Sequence, residues 1–304
     1  MSSISSVLVA TDLTVSSQPA LARAQEIARR AGARLHVLFV RELHKGSRPW
    51  LDEPDLQWAD REVEARTRRE LEALTEGSSV EVSNVIERDT GAAQAILRYA
   101  QSHDMDLIVV GTHARGTLGR MFLGSVAEKV VRCATTSVLV VGPDGAAVPA
   151  CRCIVAATDF SAGSDGALRA AAELATRHEA QLLIAHVVEP LQVAPYFTDE
   201  FLAARRRSAL RDLGHIVRVL PPELHAEPHL LQGRAHEQIV DLARHVQADL
   251  IVVGACGLQG MDRWLLGSVA ERVVRAAPCP VWVHHDKRSE TQETLAHNDE
   301  EAVS

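Results

Sequence analysis

The chain has 304 residues, with 32 Lys and Arg against 40 Asp and Glu, and its formal net charge of −8 offers no general attraction for nucleic acid. Its 46% hydrophobic and 24% charged content is that of a globular chain, and the length suits about two domains. Five cysteines make no disulfide framework, no apolar run nears the roughly 18 residues of a membrane span, and the start MSSISSVLVATD carries no leader pattern, so a cytoplasmic protein without nucleic-acid or membrane partners is expected.

In chain order, the first β-branched run is 7–10, with Asp12 just beyond it. Ser17-Gln18-Pro19 offers a cap with proline near the first turn; Leu21, Ala24, Ala28 and Ala31 recur at helical spacing, and Gly32 closes that helix. A second run covers 35–40 and ends on Val40. A long polar helix is predicted over 55–75, where REVEARTRRE mixes signs as a solvated face does. A helix over 92–103 precedes the run 107–110, which ends on Val110 and passes into Gly111. Gly124-Ser125 then opens the helix SVAEKVVR, and 138–141 is the last short run of the unit. Short buried runs alternating with helices predict a parallel α/β sheet covered on both faces, with right-handed crossovers.

The unit then repeats. SVLVATDLTVSSQPALARAQEIARRAGARLHVLFV matches CIVAATDFSAGSDGALRAAAELATRHEAQLLIAHV, placing Asp12 and Asp159 147 residues apart. GTHARGTLGRMFLGSVAEKVVR at 111–132 matches GACGLQGMDRWLLGSVAERVVR at 254–275, with both Gly111/Gly254 and Gly124/Gly267 at an offset of 143. The second long polar helix is predicted over 198–219. The join GPDGAAVPACRC at 142–153 is short and rich in Gly, Ala and Pro. The expected organisation is a first domain at 1–143, a second at 150–286, and a tail at 287–304 whose lack of an apolar face predicts disorder. Two like domains on a short tether suggest a pseudo-symmetric pair mimicking a dimer, and a homodimer of the whole chain is a further expectation.

The duplicated glycines stand where ligands collect in open parallel sheets, beyond the carboxyl ends of strands. Gly254 follows the strand ending on Val253, Gly257 comes three residues later, and Gly267-Ser268 opens a helix that continues through Val269. Backbone N–H groups and a helix start aimed at one spot suit an anion such as phosphate. The structural alternative is a pair of S-x-x-E capping boxes, Ser125 with Glu128 and Ser268 with Glu271. Asp12 and Asp159 read equally as turn aspartates or as acceptors for a ligand hydroxyl, amine or metal. No GxxxxGK[ST] loop and no G-x-G-x-x-G after a first strand appears, which excludes a P-loop ATPase and disfavours a dinucleotide oxidoreductase. SAGSDG at 161–166 is a poor match to the SGGxDS loop of ATP pyrophosphatases. The histidines at 225, 229, 236, 284 and 285 and the Cys151-x-Cys153 pair lack tight metal-ligand spacing. No Ser/His/Asp constellation defines a catalytic residue.

Gly254-x2-Gly257-x9-Gly267-Ser268, with Thr158-Asp159 after the first strand of its half, resembles the universal stress protein family over nearly all of 1–285. The resemblance implies two tandem Rossmann-like (adenine nucleotide alpha hydrolase-like) domains, each a parallel five-stranded sheet with helices on both faces. Many members of the family bind ATP and others lack it. Carried over, the peptide at Val187 would meet adenine, Asp159, next to Thr158 of the same set, the nucleoside side, and Gly254, Gly257, Gly267 and Ser268 the phosphates. Val253 and Val269 border that set. Mg²⁺ would accompany the ATP, with Asp159 as its one candidate ligand. The first copy offers Asp12, Val40, Val110, Gly111, Gly124 and Ser125, but Ala114 stands where the second motif glycine belongs. The expectation is a regulatory stress-response protein with ATP in the second domain and a degenerate first site. A scaffold without nucleotide, or a weak ATPase, are the other readings.

Overall fold

The computed structural model describes residues 4–43, 53–112, 123–143, 145, 151–189, 199–256 and 266–285, without the side chains of 53–59 and 199. The predicted tail at 287–304 lies outside the described residues. The first half runs β1 (Ser6–Thr11), α1 (Gln18–Ala31), β2 (Arg34–Glu42), α2 (Glu53–Thr75), β3 (Val82–Asp89), α3 (Ala92–Ser102), β4 (Leu107–Gly111), α4 (Ser125–Cys133) and β5 (Ser137–Val141). The second runs β6 (Cys153–Ala157), α5 (Ala162–His178), β7 (Gln181–Val188), α6 (Asp199–Val219), β8 (Ala226–Gln232), α7 (Ala235–His245), β9 (Leu250–Gly254), α8 (Ser268–Ala276) and β10 (Val281–His284).

Each half is a five-stranded parallel sheet, as expected, and the two join into one. Strand order is β3-β2-β1-β4-β5-β10-β9-β6-β7-β8. The seam is antiparallel, with Leu139 of β5 opposite Trp282 of β10. The sequence led only to a pair of domains; the shared sheet is the way they pair. Strands at the seam are buried on both faces, residue after residue, because helices cover both sides. Side-chain alternation sends Leu8, Ile108 and Val138 to a core under α3, α4, α7 and α8, and Val7, Val109 and Leu139 to a core under α1 and α5. Each core draws residues from both halves.

Helix ends follow local chemistry, with corrections to the sequence reading at the Ser17 cap and at the capping boxes. Gly32 closes α1 in the left-handed conformation at φ 64°, but α5 ends the same way on Glu179 at φ 52°. Ser17 stands at the N-cap of α1 as expected, but its side chain makes no capping bond; its hydroxyl donates to Thr14 O and pairs with Thr11 Oγ1. The two capping boxes do not form, because Gly124 and Gly267 are the N-caps and Ser125 and Ser268 are already helical. Glu128 and Glu271 turn instead to Arg132 and Arg275, and Arg275 also reaches Glu128 across the seam at 2.8 Å.

Candidate functional site

Strand order reverses between β1 and β4 and again between β6 and β9, which makes the carboxyl edges there the natural ligand positions. Ala156 pairs with Val252 and Ala157 with Ala185. Continuing that register sets Thr158 level with Gly254 and Asp159 level with Val187. In the first half, Val9 pairs with Val109 and Thr11 with Phe39. The same continuation sets Thr11 level with Gly111 and Asp12 level with Val40, one residue past Val110.

The chain leaving β9 is tied back to the start of α8. Ala255 N–H donates to His284 O at 2.9 Å, and Gly267 N–H donates to Ala255 O at 2.7 Å. Thr158, Asp159, Val187, Val253, Gly254, Gly267, Ser268 and Val269 therefore gather at one sheet edge. Gly257 and Ala114 lie outside the described residues. The Gly267 amide is committed to the loop closure. Helix geometry leaves the first-turn N–H groups of Ser268, Val269 and Ala270 without intrahelical acceptors. In the first half, Gly124 and Ser125 open α4 in the same way.

The turns holding the two aspartates are near copies. Ser161 donates both its N–H and its hydroxyl to Asp159 Oδ1, and Thr14 does the same to Asp12 Oδ1 at 3.0 and 2.7 Å. The turn-aspartate alternative is thus realised in both halves. Thr158 Oγ1 accepts from Phe160 N–H at 3.0 Å and shares a hydrogen bond with buried Ser164; Thr11 repeats this with Leu13 and Ser17. Phe160 and Leu13 sit at φ 63° and 62°, an unusual region for bulky residues. Sequence reasoning missed these features. The Thr-Asp-x4-Ser spacing shared by both halves was a usable signal, whereas nothing in a phenylalanine or leucine announces positive φ. It also missed the Phe160–His186 stack, with centroids 4.2 Å apart beside Val187.

The two strand-end glycines differ in why they are glycine. A Cβ on Gly254 would meet Gly163 O at 2.9 Å, and one on Gly163 would meet Cys256 O at 2.5 Å. Backbone therefore packs on backbone where α5 begins. A Cβ on Gly111 would meet nothing nearer than Ser16 O at 3.5 Å, an ordinary contact. The first turn of α5 presses on Gly254.

Among the described residues no group of three or more His, Cys, Asp or Glu is placed to hold a metal ion. Burial pushes the Cys151 and Cys279 thiols up to about 12 and raises Cys153 and Cys256 as well, which disfavours the thiolate form at each. His284 is buried and shares a hydrogen bond with Ser137 across the seam at 3.3 Å. No helix among the described residues is long and apolar enough to cross a membrane.

The model of the Universal stress protein family matches residues 4–142 and again 151–285. A universal stress protein of Mycolicibacterium smegmatis is 29% identical over 228 residues, covering 73% of this chain and 74% of that protein. One from Methanocaldococcus jannaschii is 34% identical over 137 residues, covering 43% of this chain and 79% of its own. Among solved structures, a universal stress protein from Archaeoglobus fulgidus aligns over 94% of this chain and 97% of its own with a TM-score of 0.68 at 21% identity. A putative one from Pseudomonas aeruginosa aligns over 99% and 98% with a TM-score of 0.65 at 23% identity.

Proposed function

Because the chain belongs to the universal stress protein family as a tandem of two family domains, we propose that it is an ATP-binding regulatory protein whose nucleotide lies in the second half, at the carboxyl edge of β6, β7 and β9. The observation that carries this reading is the gathering of Asp159, Val187 and the open first turn of α8 at one edge, by strand register and by the Gly267 to Ala255 bond. Amides without helical acceptors at a helix start fit negative oxygens. In this arrangement the phosphates fall to the Ser268 and Val269 amides and to the Gly257 loop, because the Gly267 amide is already used. The base would lie beside Val187 and the Phe160–His186 stack. Mg²⁺ would accompany the phosphates, with Asp159, whose Oδ1 already takes two hydrogen bonds from Ser161, as its one candidate protein ligand. No general base enters the proposal, so the nucleotide is held or only slowly hydrolysed.

The close backbone packing of Gly163 on Gly254 favours a second reading, a scaffold that takes no nucleotide. Denaturing the purified protein and identifying released nucleotide by mass separates the two, with ATP titration as a second arm. Bound or titratable ATP is expected, lost in Gly257→Val and kept in Gly111→Val. Neither endogenous nucleotide nor saturable ATP binding would establish the scaffold, and equal loss from both variants would overturn the assignment to the second half.

A further inference from the structure

His186 grips the chain on both sides of Asp159. Its Nδ1 lies 2.9 Å from Thr158 O, and its ring stacks on Phe160 with centroids 4.2 Å apart and planes inclined by 28°. A carbonyl oxygen can only accept, so Nδ1 carries the proton and donates. Thr158 is held from its other end as well: its N–H donates to Ala185 O at 2.9 Å, and its Oγ1 accepts from Phe160 N–H at 3.0 Å. Thr158 and Phe160 directly precede and follow Asp159, so His186 fixes the stretch of backbone that carries this carboxylate. Side-chain alternation puts His186 with Ile184 on the face of β7 where Phe160 packs, and Val187 on the opposite face.

The turn needs this grip. Phe160 sits at φ 63°, a region that a bulky residue enters at a cost and keeps only where its surroundings impose it. The imidazole supplies such a surrounding, a ring for Phe160 to lie on and a donor for the carbonyl just before the bend. In the first half the same turn is built without it. At the offset of 147, Phe39 stands for His186 and Leu13 for Phe160. Leu13 repeats the backbone angle, at φ 62°, but it has no ring to stack, and the Phe39 side chain has no hydrogen to donate to Thr11 O. The turns around Asp12 and Asp159 therefore share their internal hydrogen bonds and differ in their anchorage to the neighbouring strand.

We infer that His186 is a positioning residue for nucleotide binding, holding Asp159 in its binding geometry through the Thr158 carbonyl and the Phe160 ring. This rests on the nucleotide site proposed above, and it gives that site a reason to work in the second half and not in the first. A site whose groups are already held in place loses less freedom when the ligand arrives, so the anchored turn binds more tightly than an equal turn left loose.

The test is calorimetric titration of the full chain with ATP and Mg²⁺, at a temperature where circular dichroism shows each variant folded. His186→Phe, which copies the first half, should bind ATP at least ~10-fold more weakly than wild type. His186→Asn, whose amide nitrogen can take the place of Nδ1, should recover affinity to within ~3-fold of wild type. Asp159→Ala should lose ~10-fold or more, and adding His186→Phe to it should cost less than ~3-fold further, because the first change removes what the second one holds. A purely structural histidine would lower the denaturation midpoint of His186→Phe and leave its affinity unmoved. In wild type, nitrogen-15 NMR of the neutral ring should find the proton on Nδ1, and that resonance should shift on saturation with ATP; these signals decide should a variant not fold. Wild-type affinity in His186→Phe or in Asp159→Ala, equal losses in His186→Phe and His186→Asn, losses that multiply in the double variant, a proton on Nε2 or an unmoved resonance would each overturn the inference. Wild type that binds no ATP at all would instead sink the nucleotide reading, and the inference with it.

Discussion

The two halves share one plan but differ in the turn after their first strand. In the first half a 3-10 turn, Val15–Ser17, precedes α1. In the second, α5 is helical from Ala162, the repeat mate of Val15, and Ser161 caps it by accepting from Ser164 N–H at 3.3 Å. Gly163 stands where the first half has Ser16, so the helix backbone can approach β9 until Gly254 and Gly163 exclude any side chain between them. The same motif position is glycine for packing in one half and is packing-neutral in the other. A repeated residue is therefore not evidence of a repeated reason.

The largest expected contrast is at the ends of the halves, where Val141-Gly142 is matched by His284-His285. Burial, with His284 beside it, holds the His285 pKa down at about 4, and its Nε2 is buried without a partner among the described residues. The unfolded chain protonates this histidine first as pH falls, so its contribution to stability is complete above about 6.5 and is lost progressively towards 4. About 2 kcal/mol should disappear between pH 7 and pH 5 from this group, and His36 and His178, both also lowered by burial, act in the same direction. Urea denaturation across that range should show a shallower pH dependence for His285→Asn. An unchanged slope would mean that the second half has no special acid sensitivity.

Next in size is the glycine pair. Gly254→Ala should cost about 1–3 kcal/mol, because its new Cβ meets backbone that cannot rotate away. Gly111→Ala should stay within about 0.5 kcal/mol of wild type. Denaturation midpoints of the two variants check this, and equal losses would remove the distinction drawn between the halves. Smaller again is the effect at the ends of α1 and α5. Both close in the left-handed region, but only the first uses glycine. Glu179→Gly should raise stability by about 1 kcal/mol and Gly32→Ala should lower it by a similar amount.

These contrasts also mark what could be read in advance. The strands near the seam were legible because both of their faces are buried, so β4 and β9 spell LIVVG without interruption. The edge strands β3 and β8 were not singled out. VSNVIERD and AEPHLLQ are half exposed, and their polar residues blur any period. The long helices were predicted within two residues of their observed bounds by their polar spacing. Of the candidate site, the sequence led to the strand ends and the helix starts. It could not show that Gly267 spends its amide on Ala255, or that Gly163 occupies the side of Gly254, because both depend on how two segments about a hundred residues apart, or a loop and its own exit, meet in space.

The finest comparison concerns the ion pairs across the seam. Glu128 and Glu271 are repeat mates, as are Arg132 and Arg275 at the same offset, so strict symmetry would give two crossed pairs. Instead Glu128 takes Arg132 at 2.7 Å through Oε1 and Arg275 at 2.8 Å through Oε2, while Glu271 holds, among the described residues, only Arg275, within its own helix. All four side chains are partly exposed, so water and salt weaken each pair. Glu128→Gln should therefore cost less than about 1 kcal/mol, and Glu271→Gln less than that. A double-mutant cycle between Glu128 and Arg275 should return a coupling of about 0.5 kcal/mol that fades in 0.5 M salt. A coupling between Arg132 and Glu271 of the same size would show that the halves exchange their pairs symmetrically in solution, and that the seam distinguishes them less than their first turns do.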